Sequence, residues 1–345
     1  MLFSVIGTPS ALGFSGCSLI RMIADAAFGS HAFINATFPD DIKKVWSNID
    51  FSVTKAVVLF STVPSKPLVE LLVSSRAPTV IFCDDFEAIV EFLEETQNAH
   101  SREAVRVATQ AVCSINLIED TYILAVKKAA LGRKLHDTIL DFCEFYSIEN
   151  PRSVAAAVLK HASPHPQSTF ADFILQQQLV PTTQRKPENI RLDELGFSFE
   201  YMADQYAKIG LYKPNPEIFW PTALFLDASR PGEKIKGPID LLGPSRFLVY
   251  GPYMHLPAGD WRVIIVIEVS ENTSGNKLLV DVASQCVLTG VISPLPKSGL
   301  FELEMQFRIE DPFHPVEVRF QIMEGAIEGR LWLRQVVFHP MQSAA

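Results

Sequence analysis

Three groups of residues have types and spacings that could carry chemistry. The first is the stretch Gly7–Ser18, rich in Gly, Ser and Pro, which follows the apolar run Leu2–Ile6 and precedes the apolar-periodic Leu19–Ala27. Strand, small-residue loop and helix N-terminus together can hold a phosphate, because free backbone N–H groups and the positive end of the helix dipole converge there. Gly7, Ser15, Gly16, Cys17 and Ser18 are the candidate contacts. The second is Asp84-Asp85, behind the apolar run Thr79–Cys83. Two carboxylates at a strand end could hold a divalent cation beside a phosphate, with Ser18 as a further ligand. The plainer expectation is that they cap the helix that follows. The third is the aromatic set Tyr250, Tyr253, His255, Trp261 and Trp332. Exposed rings stack on the C–H faces of sugars, while nearby carboxylates, amides and guanidinium groups bond the hydroxyls. Asp227, Asp240 and Glu324 could supply hydroxyl or calcium contacts. Trp261 and Trp332 each stand beside charged residues (Asp260, Arg262, Arg330, Arg334), a pattern that on a half-buried strand turns both rings into the core.

The elements that must position these groups fall into two textures. In the N-terminal half, apolar runs of strand length (Leu2–Ile6, Ala56–Ser61, Thr79–Cys83) alternate with helical patterns at Asp40–Asn48, Pro67–Ser74 and Phe86–Glu95, with a further β-like run at His31–Thr37. Continuous apolar strands alternating with helices predict a parallel α/β sheet with right-handed crossovers. Ligands of such sheets sit beyond the carboxyl ends of the strands, which places Gly7–Ser18, Ser61–Ser65 and Cys83–Phe86 along one rim. Ser101–Tyr146 reads as helical throughout, from apolar residues at helical spacing. A proline- and glutamine-rich junction with short helices (Thr169–Leu179, Leu195–Ile209) ends at Gly210–Pro216. Beyond it, short alternating runs separated by Gly, Pro, Asn and Asp predict an all-β sandwich or jelly roll. The expected boundaries are an α/β domain over 1–150, a helical extension and linker over 151–215, and a β-sandwich over 216–345.

Two resemblances follow from these segments. The order strand, Gly-Thr-Pro-Ser, Ser-Gly-Cys-Ser, helix is similar to the start of sulfotransferases, and the stretch from Ala56 to Leu93 is similar to the next part of that fold. The resemblance covers about the first 95 residues and implies a P-loop-like sheet whose first loop cradles the 5′-phosphosulfate of 3′-phosphoadenosine 5′-phosphosulfate. Its motifs are degenerate here. Cys83 or Asp84 stands where the family has Arg, Phe86 where it has Pro, and Glu91 or a close neighbour where it has Ser. Replacing Arg by Asp exchanges a bidentate phosphate donor for a repelling charge. The second resemblance lies in Gly251–Arg262, with its Leu-Pro-Ala-Gly-Asp-Trp-Arg core, and in the strand Leu331–Phe338. These look like a hairpin and the closing strand of galactose-binding-like and carbohydrate-binding jelly rolls.

Composition narrows the field further. The chain of 345 residues is long enough for two cores, and 48% hydrophobic with 20% charged residues argues against disorder. A formal charge of -9, with no basic tract, disfavours nucleic acid and anionic membrane surfaces as partners. No other apolar run of spanning length follows the N-terminal segment, and no Lys or Arg precedes Arg21, as a secretion signal requires. Five widely spaced cysteines without a Cys-x-x-Cys pair read as free thiols in a reducing, cytoplasmic compartment. There is no G-x-S-x-G, H-E-x-x-H, G-x-G-x-x-G or complete Walker motif. The leading expectation is a largely non-catalytic protein of glycan or surface-polysaccharide metabolism, with no bound cofactor, that binds a glycan or a protein partner through its sandwich. The alternatives are an active nucleotide-donor transferase using the first loop and an assembly protein that forms homo-oligomers.

Overall fold

The computed structural model describes residues 1–118, 122–162, 165, 167–177, 197–209 and 214–341. The chain divides into two compact units, one of residues 1–104 and 117–187, the other of residues 105–116 and 188–345. This differs from the boundaries expected at 150 and 216: a twelve-residue piece of the N-terminal half belongs with the C-terminal unit. Residues 178–196 of the junction and 210–213 lie outside the described residues.

The first unit carries β1 (Leu2–Gly7), α1 (Ala11–Phe28), β2 (His31–Asn35), α2 (Pro39–Trp46), β3 (Ala56–Ser61), α3 (Lys66–Ser74), β4 (Thr79–Cys83), α4 (Phe86–Gln97) and the first residues of α5 (Ser101–Ile115). It continues with β5 (Ile123–Lys127), α6 (Leu135–Phe145), α7 (Pro151–Ala162) and α8 (Phe170–Gln176). The five strands form one parallel sheet in the order β2-β3-β1-β4-β5. The apolar runs that predicted strands are its centre: every residue of β3, and all of β1 after Leu2, is buried. Residues 101–146 are not one helical stretch, because β5 interrupts them as the sheet's edge strand. β5 is only five residues long and half exposed, so its alternation was hidden by the helical spacing on either side.

Helix α1 begins at Ala11, well before the expected Leu19. Ser10 is its N-cap, with Oγ accepting from the Gly13 N–H at 3.2 Å, and Gly29 at φ 79° ends it. By length and hydropathy α1 would cross a membrane, yet nine of its residues are buried within this unit, as in the core helix of a packed domain. Its small residues serve that packing. A Cβ on Gly13 would lie 2.0 Å from the Thr8 carbonyl oxygen, and one on Gly16 2.5 Å from the Phe82 ring. Helix and sheet can approach this closely only where side chains are absent.

The second unit joins residues 105–115 of α5 to α9 (Phe197–Lys208) and eleven strands. These are β6 (Ile218–Phe219), β7 (Leu226–Asp227), β8 (Ile239–Asp240), β9 (Arg246–Tyr250), β10 (Pro252–Met254), β11 (Gly259–Ser270), β12 (Lys277–Ala283), β13 (Val287–Pro294), β14 (Gly299–Ile309), β15 (Val316–Ile322) and β16 (Arg330–Pro340). They form two antiparallel sheets, β13-β12-β15-β9-β7 with β10 also on β15, and β14-β11-β16-β6 with β8 also on β16. Strict alternation of buried and partly exposed residues along β11 and β15 gives each sheet one inner and one outer face, as in a β-sandwich. The expected hairpin around Pro257–Asp260 is a crossover between sheets. β10 pairs with β15 and β11 pairs with β14 and β16. β16 is an inner strand of its sheet, flanked by β11 and β6.

Candidate functional site

The residues expected to cradle a phosphate do not form a loop. Ser15, Gly16, Cys17 and Ser18 lie inside α1, where their amides belong to the helix's own hydrogen-bond ladder, and only Thr8, Pro9 and Ser10 separate Gly7 from the helix. Ser15 and Cys17 are buried, and burial pushes the Cys17 thiol up to about 12. Ser18 is half-buried, with its hydroxyl directed at Gln177 at 3.4 Å. The rim is tied to itself: Thr8 Oγ1 accepts from the Asp84 N–H at 3.1 Å and lies 3.2 Å from Ser10 Oγ. The clustered small residues that looked like a cradle are explained by the close approach of α1 to β1 and β4.

Asp85 occupies the N-cap position of α4 without a side-chain cap bond and instead pairs with Lys128 at 2.7 Å. Asp84 Oδ1 accepts from the Asp85 N–H at 3.0 Å, and burial pushes its carboxyl above the usual range. Neither side chain caps the helix as expected.

The aromatic candidates separate. Trp261 is fully buried on the inner face of β11, its indole N–H donating to the Pro257 carbonyl at 2.9 Å, so it offers no platform to a ligand. Trp332 pairs with Glu268 on the opposite face of that sheet, partly exposed, with the Arg334 guanidinium 5.6 Å from its ring. The expectation that both rings face the core therefore holds for Trp261 alone. His255, one of the aromatic candidates, is 4% exposed. Its Nδ1 lies 3.2 Å from Thr109 Oγ1 on α5, its carbonyl accepts from Tyr206 Oη at 2.7 Å, and burial pushes its imidazole down to about 3. Glu324 pairs with Lys277, apart from the other carboxylates that were grouped with it.

Tyr250 and Tyr253 stay together, with ring centroids 6.1 Å apart, both partly exposed. They belong to a constellation on the outer face of the β13-β12-β15-β9-β7 sheet. Along β15 the outward residues are Glu317, Arg319 and Gln321. Arg319 Nε and Nη2 donate to the two carboxylate oxygens of Asp281 on β12 at 2.7 and 3.1 Å, and Arg319 lies 3.5 Å from Glu317. The same guanidinium stands 5.8 Å from the ring of Phe247 on β9, which is 44% exposed. Burial and the neighbouring Glu317 carboxylate push the Tyr253 hydroxyl up to about 12, and the Arg106 guanidinium sits 5.0 Å over the Tyr253 ring. Tyr253 has φ 64°, a left-handed conformation that is costly for a bulky residue and here aligns its ring with the group. Opposite Asp281 stands Gly290, where an added Cβ would come 3.1 Å from the Asp281 Cβ. The missing side chain lets β13 pack closely against Asp281.

Asp281 is 5% exposed although it lies on an outer face. A carboxylate buried there loses hydration, and the bidentate guanidinium offsets that loss. An apolar residue would serve stability equally well, so this pair is better explained as a preformed set of polar contacts. Phe247, Asp281, Glu317 and Arg319 were missed in the sequence because they come from three strands far apart in the chain. The available signal was a lone Asp within the apolar run of β12 and the outward polar alternation of β15.

Beside Phe247, the short strands β7, β8 and β9 enclose a cleft of about 350 Å³ lined by Asp227, Ser229, Arg230, Asp240, Arg246 and Phe247, among others. Asp227 and Asp240, both singled out in the sequence, thus line one cleft although β7 and β8 belong to different sheets.

No family model and no curated protein matches this sequence. Solved structures similar to part of it include carbohydrate-binding modules with β-sandwich folds. One is the xylan-binding module CBM15, at 14% identity over 37% of this chain and 98% of that one, with a TM-score of 0.27. Another is TmCBM61 in complex with β-1,4-galactotriose, at 14% identity over 34% and 81% of the two chains, TM-score 0.24. A third is the module CBM6cm-2 of Cellvibrio mixtus lichenase 5A in complex with cellotriose, at 11% identity over 29% and 73%, TM-score 0.19. At these scores the similarity carries no functional argument. The fold class, a parallel α/β sheet with helices followed by an antiparallel β-sandwich, rests on the strand order itself.

Proposed function

We propose that this protein binds a glycan on the outer face of the β13-β12-β15-β9-β7 sheet, acting as a binding rather than a catalytic component of glycan metabolism. The observation that carries the reading is the juxtaposition of the Phe247, Tyr250 and Tyr253 rings with the Arg319–Asp281–Glu317 network. A pyranose has apolar C–H faces and a rim of hydroxyls. Rings exposed at one side of a fixed guanidinium–carboxylate pair match both features at once. Because the polar groups hold each other in place before any ligand arrives, binding loses little side-chain entropy.

Affinity electrophoresis of the full chain in gels containing xylan, β-1,4-galactan or mixed-linkage β-glucan tests this. Retardation by at least one polymer is expected. Phe247→Ala should weaken it about tenfold, on the order of 1.4 kcal/mol, with only a small shift of the thermal transition, since nearly half of the side chain is exposed. Wild-type protein that migrates unretarded through the whole panel, or a Phe247→Ala variant as retarded as wild type, would sink the reading.

A further inference from the structure

The cleft beside Phe247 has a built interior that the sheet face does not use. At about 350 Å³ it falls within the roughly 300–1,000 Å³ typical of small-molecule sites. Its polar groups are fixed by internal bonds. Asp227 Oδ1 accepts from the backbone N–H and the hydroxyl of Ser229 at 2.8 and 2.6 Å, and Oδ2 accepts from Arg230 Nε and Nη2 at 3.1 and 2.8 Å. Asp240 Oδ1 accepts from the Leu242 N–H at 2.9 Å, and Arg246 Nη2 donates to the Asp240 carbonyl at 2.7 Å. The Asp227 carboxylate is filled by its four bonds, whereas Asp240 keeps further acceptor sites and the guanidinium groups keep further N–H donors, so the cleft presents an oriented acceptor and donors next to one aromatic wall.

The charges decide the ligand class. Arg230 is met by Asp227 and Glu233, Arg319 by Asp281 and Glu317, and Arg246 by three backbone carbonyls. An anionic sugar would have to compete with carboxylates for Arg230 and Arg319 and with three backbone carbonyls for Arg246, and would meet a chain of formal charge -9. Hydroxyls, which both donate and accept, need displace nothing.

We propose that this cleft is the end subsite of a neutral glycan, whose adjoining residues run past Phe247 onto the sheet face. The proposal rests on the glycan reading above and extends it to a second binding region and to uncharged sugars. The test is isothermal titration of the full chain with neutral six-unit xylo-, cello- and β-1,4-galacto-oligosaccharides and, separately, with oligogalacturonate. Wild type should bind at least one neutral series and bind oligogalacturonate more weakly. Asp240→Ala should weaken the neutral ligand about tenfold, the loss of one hydrogen bond to a charged group. Asp240→Asn, which keeps an acceptor for the Leu242 N–H, should weaken it less and guards against a local folding defect. If Phe247→Ala weakens binding while both Asp240 variants bind as wild type, the cleft is not a subsite and the sheet-face reading stands. If oligogalacturonate binds more tightly than every neutral series, the assignment to neutral sugars falls. If no saccharide binds wild type, both readings fail.

Discussion

At the scale of single residues, the histidine expected to meet a ligand has become a structural group. Folding holds His255 neutral, with burial pushing it down to about 3 against about 6.5 in the unfolded chain. Between those values the unfolded chain binds more protons than the folded one. The stability contributed by neutral His255 is therefore full above about pH 6.5 and is lost as pH falls toward 3. Replacing it with a side chain that keeps a polar contact but does not titrate isolates this. The thermal transition of His255→Gln should fall less steeply between pH 7 and pH 4.5 than that of wild type, and parallel slopes would show that another group governs the acid limb. Asp84 has the opposite sign. Its carboxyl is raised by burial, so its ionised form opposes folding at neutral pH and the penalty is relieved as pH falls through the raised value. Asp84→Asn should accordingly raise the transition temperature at pH 7 and change it less in acid, as measured by calorimetry at both pH values.

At the scale of elements, what was legible depended on whether a segment's pattern answered to burial or to contact. β1, β3 and β4 were plain because strands buried on both faces need continuous apolar runs, and β11 and β15 because one-sided burial needs alternation. β13 lacked that signal, since it is an edge strand with both faces partly exposed. The start of α1 misled for a physical reason: Gly, Ser and Pro mark loops by their backbone freedom, while here the glycines supply absent volume at a helix–sheet contact. That role is measurable. Gly13→Ala should cost about 3 kcal/mol or more in denaturant unfolding, because the added methyl meets backbone that cannot yield, whereas Gly132→Ala, with open space around it, should cost little. The candidate site was legible only in its tyrosines and in Asp227 and Asp240. Phe247 gave no local sign of exposure, and the pairing of Arg319 with Asp281 is set by strand register that no short stretch of sequence encodes.

At the scale of the whole molecule, the second unit draws on two separated stretches of chain. Residues 105–116 belong to it, with Arg106 Nε donating to the Pro252 carbonyl at 2.8 Å, Gln110 Nε2 to the Phe313 carbonyl at 2.9 Å, and Thr109 against His255. Helix α9 adds Tyr206, whose hydroxyl lies between the His255 carbonyl and the Trp220 indole. A fragment of residues 216–345, the sandwich as its strands alone would define it, lacks all of these partners and exposes buried polar groups that they satisfy. It should show a broadened, lower-temperature transition than the full chain, followed by near-ultraviolet circular dichroism. A sharp transition matching that of the full chain would mean that these helices contribute little. Binding measurements therefore belong on the intact chain.

The position of β16 has a bearing on synthesis. β16 lies between β11 and β6 and also pairs with β8, so three strands made earlier wait for a partner that is synthesised after them. Until then β11, twelve residues long and apolar on its inner face, has one open edge, the kind of surface that recruits other chains. A premature stop between Ser270 and Arg330 would leave that edge open permanently, giving an aggregating product rather than a shortened but folded one.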